Sequence, residues 1–278
     1  MNLRKYPQAI FYSLADWYRY PEFRQMYRLT LPQFAIILFR WKVLQMIQLP
    51  IAGSAKLLDI KPSKIIAVGL NYLDHVKESG IFGSGAPDVP AEPVLFAKTV
   101  NVLIGPGEPI VIPSHIREYN FKDERVDPEP ELAVIIGRRG RHIPEEKAFG
   151  YVLGYTCFND VSQRNIQKSD PSGWFRGKSF DTFGPIGPVV VPHGDIGDPQ
   201  ALNIACRING VTKQSASTKE MIFNIQALVA FISRQFTLEE GDIIATGTPA
   251  GVSPIVPGDT VEVEIEKIGI LRNPVIAE

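Results

Sequence analysis

Short apolar runs that end in turns rich in glycine and proline recur from Lys64 to the end of this chain. The 23 glycines and 23 prolines among 278 residues leave few stretches long enough for helices. One clear amphipathic helix is predicted after Asn224, with apolar residues at helical spacing up to Phe236. Asn209-Gly210, between two apolar runs, predicts a hairpin with a type I′ turn. The pattern therefore predicts a β-rich α+β fold, a rolled sheet with few short helices.

Three carboxylates lie at the ends of two consecutive apolar runs. Glu129 and Glu131 are two residues apart at the start of one run, and strand side chains repeat with period two, so both should face one side. Asp160 closes the next run. If the two strands are neighbours, the three carboxylates converge, and like charges this close need a cation. Oxygen donors of this kind suit magnesium, manganese or calcium better than zinc, whereas a solvated strand entrance is the alternative.

Composition and charge narrow the classes of partner. The formal net charge of -1 leaves no large basic field, so a small molecule is expected as the partner, and not a nucleic acid or an anionic membrane. Cys157 and Cys206 fall in separate predicted strands without a CxxC pair, which argues against disulfides and zinc and favours the cytoplasm. The start of the chain lacks the pattern of a secretory signal, and the longest apolar run, residues 34–39, is too short to span a membrane.

The first part of the chain has a different character from the rest. Residues 1–60 are expected to form a small N-terminal region with one or two short helices, and residues 61–278 the main domain. A helix of this region would pack on the main body or, alternatively, contact a partner or a membrane surface. The loop Gly80–Pro93 is expected to be a mobile lid, and the charged segment Ser114–Asp127 an exposed excursion.

Two short helices are predicted to carry polar side chains. Asn71 is expected to cap the first helix, on which His75 and Glu78, three residues apart, share one face. The second begins after Asp160, and its helical spacing places Arg164 and Gln167 on one face. Arg164 is also placed to form an i,i+4 ion pair with Asp160.

Four blocks of contiguous sequence stand out, in this order along the chain: Glu129-Pro-Glu131-Leu-Ala-Val-Ile-Ile-Gly, Gly154-Tyr-Thr-Cys-Phe-Asn-Asp160-Val-Ser-Gln-Arg164, Arg176-Gly-Lys178-Ser-Phe-Asp-Thr-Phe-Gly-Pro-Ile-Gly-Pro188 and Gly241-Asp-Ile-Ile-Ala-Thr-Gly-Thr-Pro-Ala-Gly251. Together these ordered blocks resemble the fumarylacetoacetate hydrolase family. The resemblance covers residues 62–276 and implies a catalytic domain built as a mixed β-sandwich roll, preceded by a small N-terminal extension and assembled as a homodimer.

The resemblance implies a role for each polar residue of these blocks. Glu129, Glu131 and Asp160 would bind Mg²⁺, with Mn²⁺ or Ca²⁺ as substitutes, as the strand argument also proposes. Lys178 would neutralise excess carboxylate charge and steady a developing oxyanion; a solvent-exposed loop lysine is the alternative.

The resemblance also implies a catalytic pair and a substrate-binding set. His75 and Glu78 would form a catalytic dyad on a helix that orders with substrate, whereas a surface ion pair is the alternative at this spacing. The expected substrate-binding residues are Lys98, Arg164, Gln167 and Thr248.

These residues favour hydrolytic C–C cleavage of an acylpyruvate or related 2,4-dioxo acid through a metal-stabilised enolate. His75, oriented by Glu78, would activate the water. The same enolate would serve an oxaloacetate decarboxylase, or an isomerase or decarboxylase of unsaturated 2-oxo diacids of the 2-hydroxyhepta-2,4-diene-1,7-dioate type. Outside the enzymes, a metal-binding protein with a dead site is the competing hypothesis, but such a site would have lost its lysine or a carboxylate.

Overall fold

The computed structural model describes residues 47–79, 89–171 and 173–278. The helices predicted before residue 47, and residues 80–88 of the predicted lid, lie outside this range. Within it the strands are β1 (Ile47–Pro50), β2 (Leu57–Ile60), β3 (Ile65–Gly69), β4 (Val94–Lys98), β5 (Leu103–Ile104), β6 (Ile110–Ile112), β7 (Val126–Asp127), β8 (Pro130–Ile136), β9 (Val152–Asn159), β10 (Ser162–Gln163), β11 (Gly184–Pro192), β12 (Asn203–Ile208), β13 (Val211–Ser217), β14 (Ile243–Ala245), β15 (Thr260–Ile265) and β16 (Gly269–Ala277).

The helices of the described residues are short, as the sequence predicts. The α-helices are α1 (Leu73–Ser79), α2 (Arg164–Ser169), α3 (Phe175–Lys178), α4 (His193–Ile196) and α5 (Ile225–Gln235). Single 3₁₀ turns or short 3₁₀ helices cover Val100–Val102, Ser114–Tyr119, Glu145–Tyr151 and Thr218–Glu220. In this part of the chain no helix is long and apolar enough to cross a membrane.

Two mixed sheets form the body of the domain. The larger has seven strands in the order β4-β3-β14-β8-β9-β11-β5, and the smaller has five in the order β13-β12-β15-β16-β6. Most neighbours are antiparallel, but β14 pairs with β3, β11 with β5 and β16 with β6 in parallel. The expected β-rich α+β fold is therefore confirmed.

Strand β8 shows why the larger sheet lies at the centre of the domain. Leu132 and Val134 point into the core that the sheet shares with β12, β15 and α5, whereas Ala133 and Ile135 point into a second core on the opposite face. Because successive strand side chains alternate between faces, a continuous apolar run such as this one can be buried on both sides. This double burial fixes the register of β8 and of the two glutamates at its start.

The first described strands lie against this body. β1 and β2 pair antiparallel, the Ala52 N–H donates to the Val190 carbonyl of β11, and Leu49 is buried in the second core. Residues 47–60 thus pack on the main domain, and the domain boundary predicted after residue 60 stays a prediction.

The two strongest local predictions are confirmed. β12 and β13 form the hairpin, and both turn residues have positive φ, 52° at Asn209 and 78° at Gly210, as a type I′ turn requires. Helix α5 begins where predicted, because the Asn224 side chain accepts a hydrogen bond from the Ala227 N–H at 2.8 Å.

Two local predictions are wrong. The Asn71 side chain does not cap α1; it donates to the carbonyls of Phe223 and Thr246 and accepts from the Phe223 N–H, so tertiary contacts replace the cap. The segment Ser114–Asp127 is not exposed throughout, since its end forms β7 and Asp127 is fully buried.

Candidate metal centre

The three predicted carboxylates meet at the junction of β8 and β9. These strands are antiparallel neighbours that pair Pro130 with Asn159, and the Asp160 N–H donates to the Glu129 carbonyl at 2.9 Å. One carboxylate oxygen each from Glu129, Glu131 and Asp160 lies within 4.8 Å of the others, and all three residues are buried. The assumption that the two strands are neighbours is confirmed, and the solvated strand entrance is ruled out.

Two buried lysines neutralise part of this negative charge. Lys178 Nζ lies 2.5 Å from Glu129 Oε2 and 2.6 Å from Asp160 Oδ2, so it bridges two of the carboxylates. Burial lowers the pKa of Lys178, but the charges of Asp160 and Glu129 outweigh burial and raise it. Lys178 is therefore protonated at neutral pH, and the alternative of an exposed loop lysine is wrong, because the side chain is buried.

Lys98 approaches the triad from β4. Its Nζ lies 2.5 Å from Asp160 Oδ1 and also donates to the Val161 carbonyl at 3.3 Å. Burial outweighs the neighbouring carboxylate and lowers the pKa of Lys98. Lys98 does not line the cavity described below, so the contact with substrate expected for it stays a prediction.

Glu131 differs from the other two carboxylates. Among the described residues no cation lies within ion-pair distance of it; its side chain accepts a hydrogen bond from the Gly247 N–H, at 2.9 Å. Burial and the charges of Asp160 and Glu129 raise the pKa of Glu131 well above its ordinary value. Gly247 has a φ of 97°, and a Cβ there would lie 2.7 Å from the Asn71 Cβ. Glu131 is thus the one carboxylate of the triad that no cation of the described residues contacts directly.

Arg164 extends the charge network outward along α2. Its Nε lies 2.7 Å from Asp127 Oδ2, and its terminal nitrogens lie 2.5 Å from Glu129 Oε1 and 3.0 Å from Gln167 Oε1. The expected pairing of Arg164 with Gln167 on one helical face is present. The alternative of an i,i+4 ion pair with Asp160 is wrong, because the guanidinium pairs with Asp127 and Glu129.

The neighbouring cations determine the pKa of Glu129. Burial raises its pKa, but Arg164 and Lys178 outweigh burial and hold the pKa of Glu129 below its ordinary range. Arg164 itself has a raised pKa, because Glu129 and Asp127 outweigh the effect of burial. Glu129 is therefore an anion at neutral pH.

A cavity of about 410 Å³ opens over the triad. His75 and Glu78 of α1 lie on its wall, with Nδ1 of the histidine 3.5 Å from Oε2 of the glutamate, which also accepts the Gly251 N–H at 3.0 Å. Burial lowers the pKa of His75 below its ordinary 6.5, so the imidazole is neutral at pH 7 and able to accept a proton. Thr248 is also on the wall, where its hydroxyl accepts from Gln214 Nε2 at 3.0 Å.

Several cavity residues were not identified from the sequence. Phe96 and Trp174 form an edge-to-face pair at 5.3 Å, and Lys178 Nζ lies 5.0 Å from the centre of the Phe96 ring. Asp127 pairs with the Nε of Arg125 at 2.8 Å as well as with Arg164. Asp127 lies two residues before Glu129. The same strand periodicity that groups Glu129 with Glu131 could therefore have identified Asp127 as a residue of the site.

Comparisons with known proteins find one matching family model and several similar proteins. The sequence model for the fumarylacetoacetate (FAA) hydrolase C-terminal domain matches residues 64–276. A mitochondrial oxaloacetate tautomerase of Xenopus laevis is 42% identical over 223 residues, which cover 77% of this chain and 66% of that protein. The crystal structure of a 2-hydroxyhepta-2,4-diene-1,7-dioate isomerase from Mycobacterium marinum is 42% identical, with a TM-score of 0.68 over 80% of this chain and 78% of that one.

A third relative was solved with ligands. The fumarylpyruvate hydrolase from Pseudomonas aeruginosa, in complex with Mn²⁺ and pyruvate, is 28% identical, with a TM-score of 0.73 over 84% of this chain and 97% of that one. Both the metal and the 2-oxo acid of that complex are of the classes that the sequence predicts here.

Proposed function

Since the chain belongs to the fumarylacetoacetate hydrolase family, we propose that it is a divalent-metal-dependent enzyme that moves a proton on a 2-oxo dicarboxylic acid, as a tautomerase or isomerase. The observation that carries the proposal is the convergence of three buried carboxylates, a cationic lysine and a neutral histidine on one cavity. Relatives that are 42% identical, the oxaloacetate tautomerase and the dioate isomerase, favour this reaction over the others.

The donor set fits a hard divalent cation. Glu129, Glu131 and Asp160 offer only oxygen ligands. No cation of the described residues contacts Glu131 directly, and a bound divalent cation would neutralise its charge. These three residues would hold Mg²⁺, with Mn²⁺ or Ca²⁺ as substitutes. When bound, the cation would supply Lewis-acid stabilisation to the enolate of a 2-oxo acid.

Lys178 and Arg164 provide fixed positive charge beside the three carboxylates. A lysine ammonium has three N–H donors, and Lys178 uses two of them on Glu129 and Asp160, so the third is available to a substrate oxygen. Arg164 is held by Asp127 and Gln167 and therefore needs no reorganisation when an anion enters the cavity. Both residues would bind and orient the carboxylate and keto oxygens of the substrate.

His75 is the residue that would move the proton. It lies on the cavity wall and is neutral at pH 7, so it can take a proton from the carbon next to the keto group and return it elsewhere. Glu78 fixes the ring through Nδ1 and stabilises its protonated form, which leaves Nε2 for the proton transfer.

Hydrolysis of an acylpyruvate is the second candidate. The observation that favours it is the same His75–Glu78 pair, because a base next to an open cavity can equally activate water against the 4-oxo carbon. The fumarylpyruvate hydrolase has the same fold at lower identity. Oxaloacetate decarboxylation needs the enolate but no base for water. A protein with a dead site is less well supported, since every charged residue of the site is in place.

A substrate screen separates these reactions. Purified protein would be assayed with Mg²⁺, Mn²⁺ or EDTA on the enol form of oxaloacetate, on unsaturated 2-oxo diacids and on acylpyruvates. We expect metal-dependent turnover, fastest in proton transfer on a diacid, and its loss in the Glu131→Gln variant. Release of pyruvate and an acid from acylpyruvates as the fastest reaction would favour the second candidate. Absence of turnover on all three classes, with either metal, would refute an enzyme of 2-oxo acids.

A further inference from the structure

The cavity wall carries one cation whose side chain makes no polar contact within the described residues. Lys168 lies on α2, lines the cavity and is exposed, and its ammonium group takes part in no hydrogen bond or ion pair with the described part of the chain. The deeper cations are all engaged: Arg164 by Asp127 and Glu129, and Lys178 by Glu129 and Asp160. Lys168 is therefore the cavity cation most able to pair with a group that enters from outside.

Arg125 is a second cation of the cavity wall. Its Nε is held by Asp127, and one terminal nitrogen donates to the Val252 carbonyl at 3.3 Å. The backbone of Arg125 is tied to the start of α2, since its carbonyl accepts the Arg164 N–H and its N–H donates to the Asn165 side chain. Because a guanidinium has five N–H donors, Arg125 keeps donors for an anion while its position is fixed.

The helix sets the distance between the inner and outer cations. Lys168 follows Arg164 by four residues, so the two side chains leave the same face of α2 about one turn, or ~5.4 Å, apart. The Arg164 guanidinium contacts Glu129 of the carboxylate triad. The two terminal carbons of a four-carbon diacid are joined by three bonds of about 1.5 Å, a comparable length. A diacid whose 2-oxo end lies at the triad would thus extend its other carboxylate toward Lys168.

We propose that Lys168, supported by Arg125, binds the distal carboxylate of the substrate and makes the enzyme selective for dicarboxylic 2-oxo acids. This inference rests on the proposed function, because it places the 2-oxo end of the substrate at the carboxylate triad. A monocarboxylic 2-oxo acid would leave Lys168 solvated and would gain no binding free energy from it. Since Lys168 is exposed, the expected preference is moderate, about five- to tenfold.

The test is a binding measurement with two ligands that differ only at the distal end. Isothermal titration of the Mg²⁺-loaded protein would compare 2-oxoglutarate with 2-oxopentanoate, in which a methyl group replaces the distal carboxylate. The wild type should bind the diacid about five- to tenfold more tightly. Lys168→Gln should abolish this preference and leave the affinity for 2-oxopentanoate within about twofold, whereas Lys168→Arg should retain the preference.

A matched control and the contrary outcomes make the test decisive. Lys147→Gln removes an exposed lysine that does not line the cavity, and it should change neither affinity. Equal losses for both ligands in Lys168→Gln, or no change in either, would overturn the inference and leave the proposed function standing. Failure of the metal-loaded wild type to bind either ligand would overturn both. Thermal melting of each variant would confirm that it is folded.

Discussion

Replacement of Glu131 by glutamine should have opposite effects on stability with and without a divalent metal. One oxygen from each of the three carboxylates lies within 4.8 Å of the others. At an effective dielectric constant of about 20, two unit charges at that distance repel by about 3.5 kcal/mol. Glu131→Gln removes two such repulsions and also an attraction to Lys178, which lies near the same triad. After screening, we expect the metal-free variant to be more stable than the wild type by about 1–3 kcal/mol.

With metal the order should reverse. A ligand at one hundred times its dissociation constant stabilises the native state by about 2.7 kcal/mol. The wild type should therefore gain several degrees in Tm on addition of Mg²⁺, at about 2–4 °C per kcal/mol for a domain of this size. Glu131→Gln, which lacks one anionic ligand, should gain little. The assay is thermal unfolding of both proteins in EDTA and across a Mg²⁺ titration.

Glu262→Gln provides the matched control. Glu262 is also a buried glutamate, but it accepts a hydrogen bond from Arg272 Nε at 2.8 Å and lies outside the triad. This variant should be less stable than the wild type in EDTA and should keep the full Mg²⁺-dependent shift. A Glu131→Gln protein that keeps the full shift would refute the ligand assignment. A metal-free Glu131→Gln protein less stable than the wild type would refute the charge argument.

Three further variants test the other parts of the site. His75→Ala should slow proton transfer or acylpyruvate cleavage by about a hundredfold and any oxaloacetate decarboxylation much less, so equal losses on both would contradict its role as a base. In the wild type, kcat/KM should fall as the pH drops through the pKa of His75. Burial lowers that pKa below its ordinary 6.5, and only the neutral imidazole accepts a proton. A kcat/KM that stays constant below pH 6.5 would argue against His75 as the base. Lys178→Met should lower the free energy of unfolding of the metal-free protein by about 3–5 kcal/mol, measured by urea unfolding, since it leaves two buried carboxylates without their shared cation. An unchanged urea midpoint would show that these ion pairs contribute little to stability. Gly247→Ala should lower the free energy of unfolding by about 1–3 kcal/mol in the same assay, because the φ of 97° and the close Asn71 Cβ leave no room for a side chain. A variant as stable as the wild type would contradict that strain.

The sequence alone was sufficient for features that depend on nearby residues. The period of two along β8 put Glu129 and Glu131 on one side, and the next strand in the chain brought Asp160 beside them, because consecutive strands usually pair. The β12–β13 hairpin and the cap of α5 follow from turn and capping preferences that act within four residues. The resemblance to a family, confirmed by comparison, also rested on blocks of contiguous sequence.

The tertiary structure decided which charges pair and which remain unpaired. Lys98 reaches Asp160 across 62 residues, and the Gly247 N–H reaches Glu131 across 116. An i,i+4 ion pair with Asp160 was the local alternative for Arg164, but Asp127 and Glu129, 37 and 35 residues away, pair with its guanidinium instead.

The physical reason is that a buried charge pairs with whichever opposite charge is desolvated beside it, and local spacing does not determine that neighbour. The same competition moved Asn71 from the helix cap expected from its local sequence to the backbone of Phe223 and Thr246. Chain spacing therefore determined where the carboxylates lie, whereas the packing of distant strands determined that Glu131 alone among them has no cationic partner in the described part of the chain.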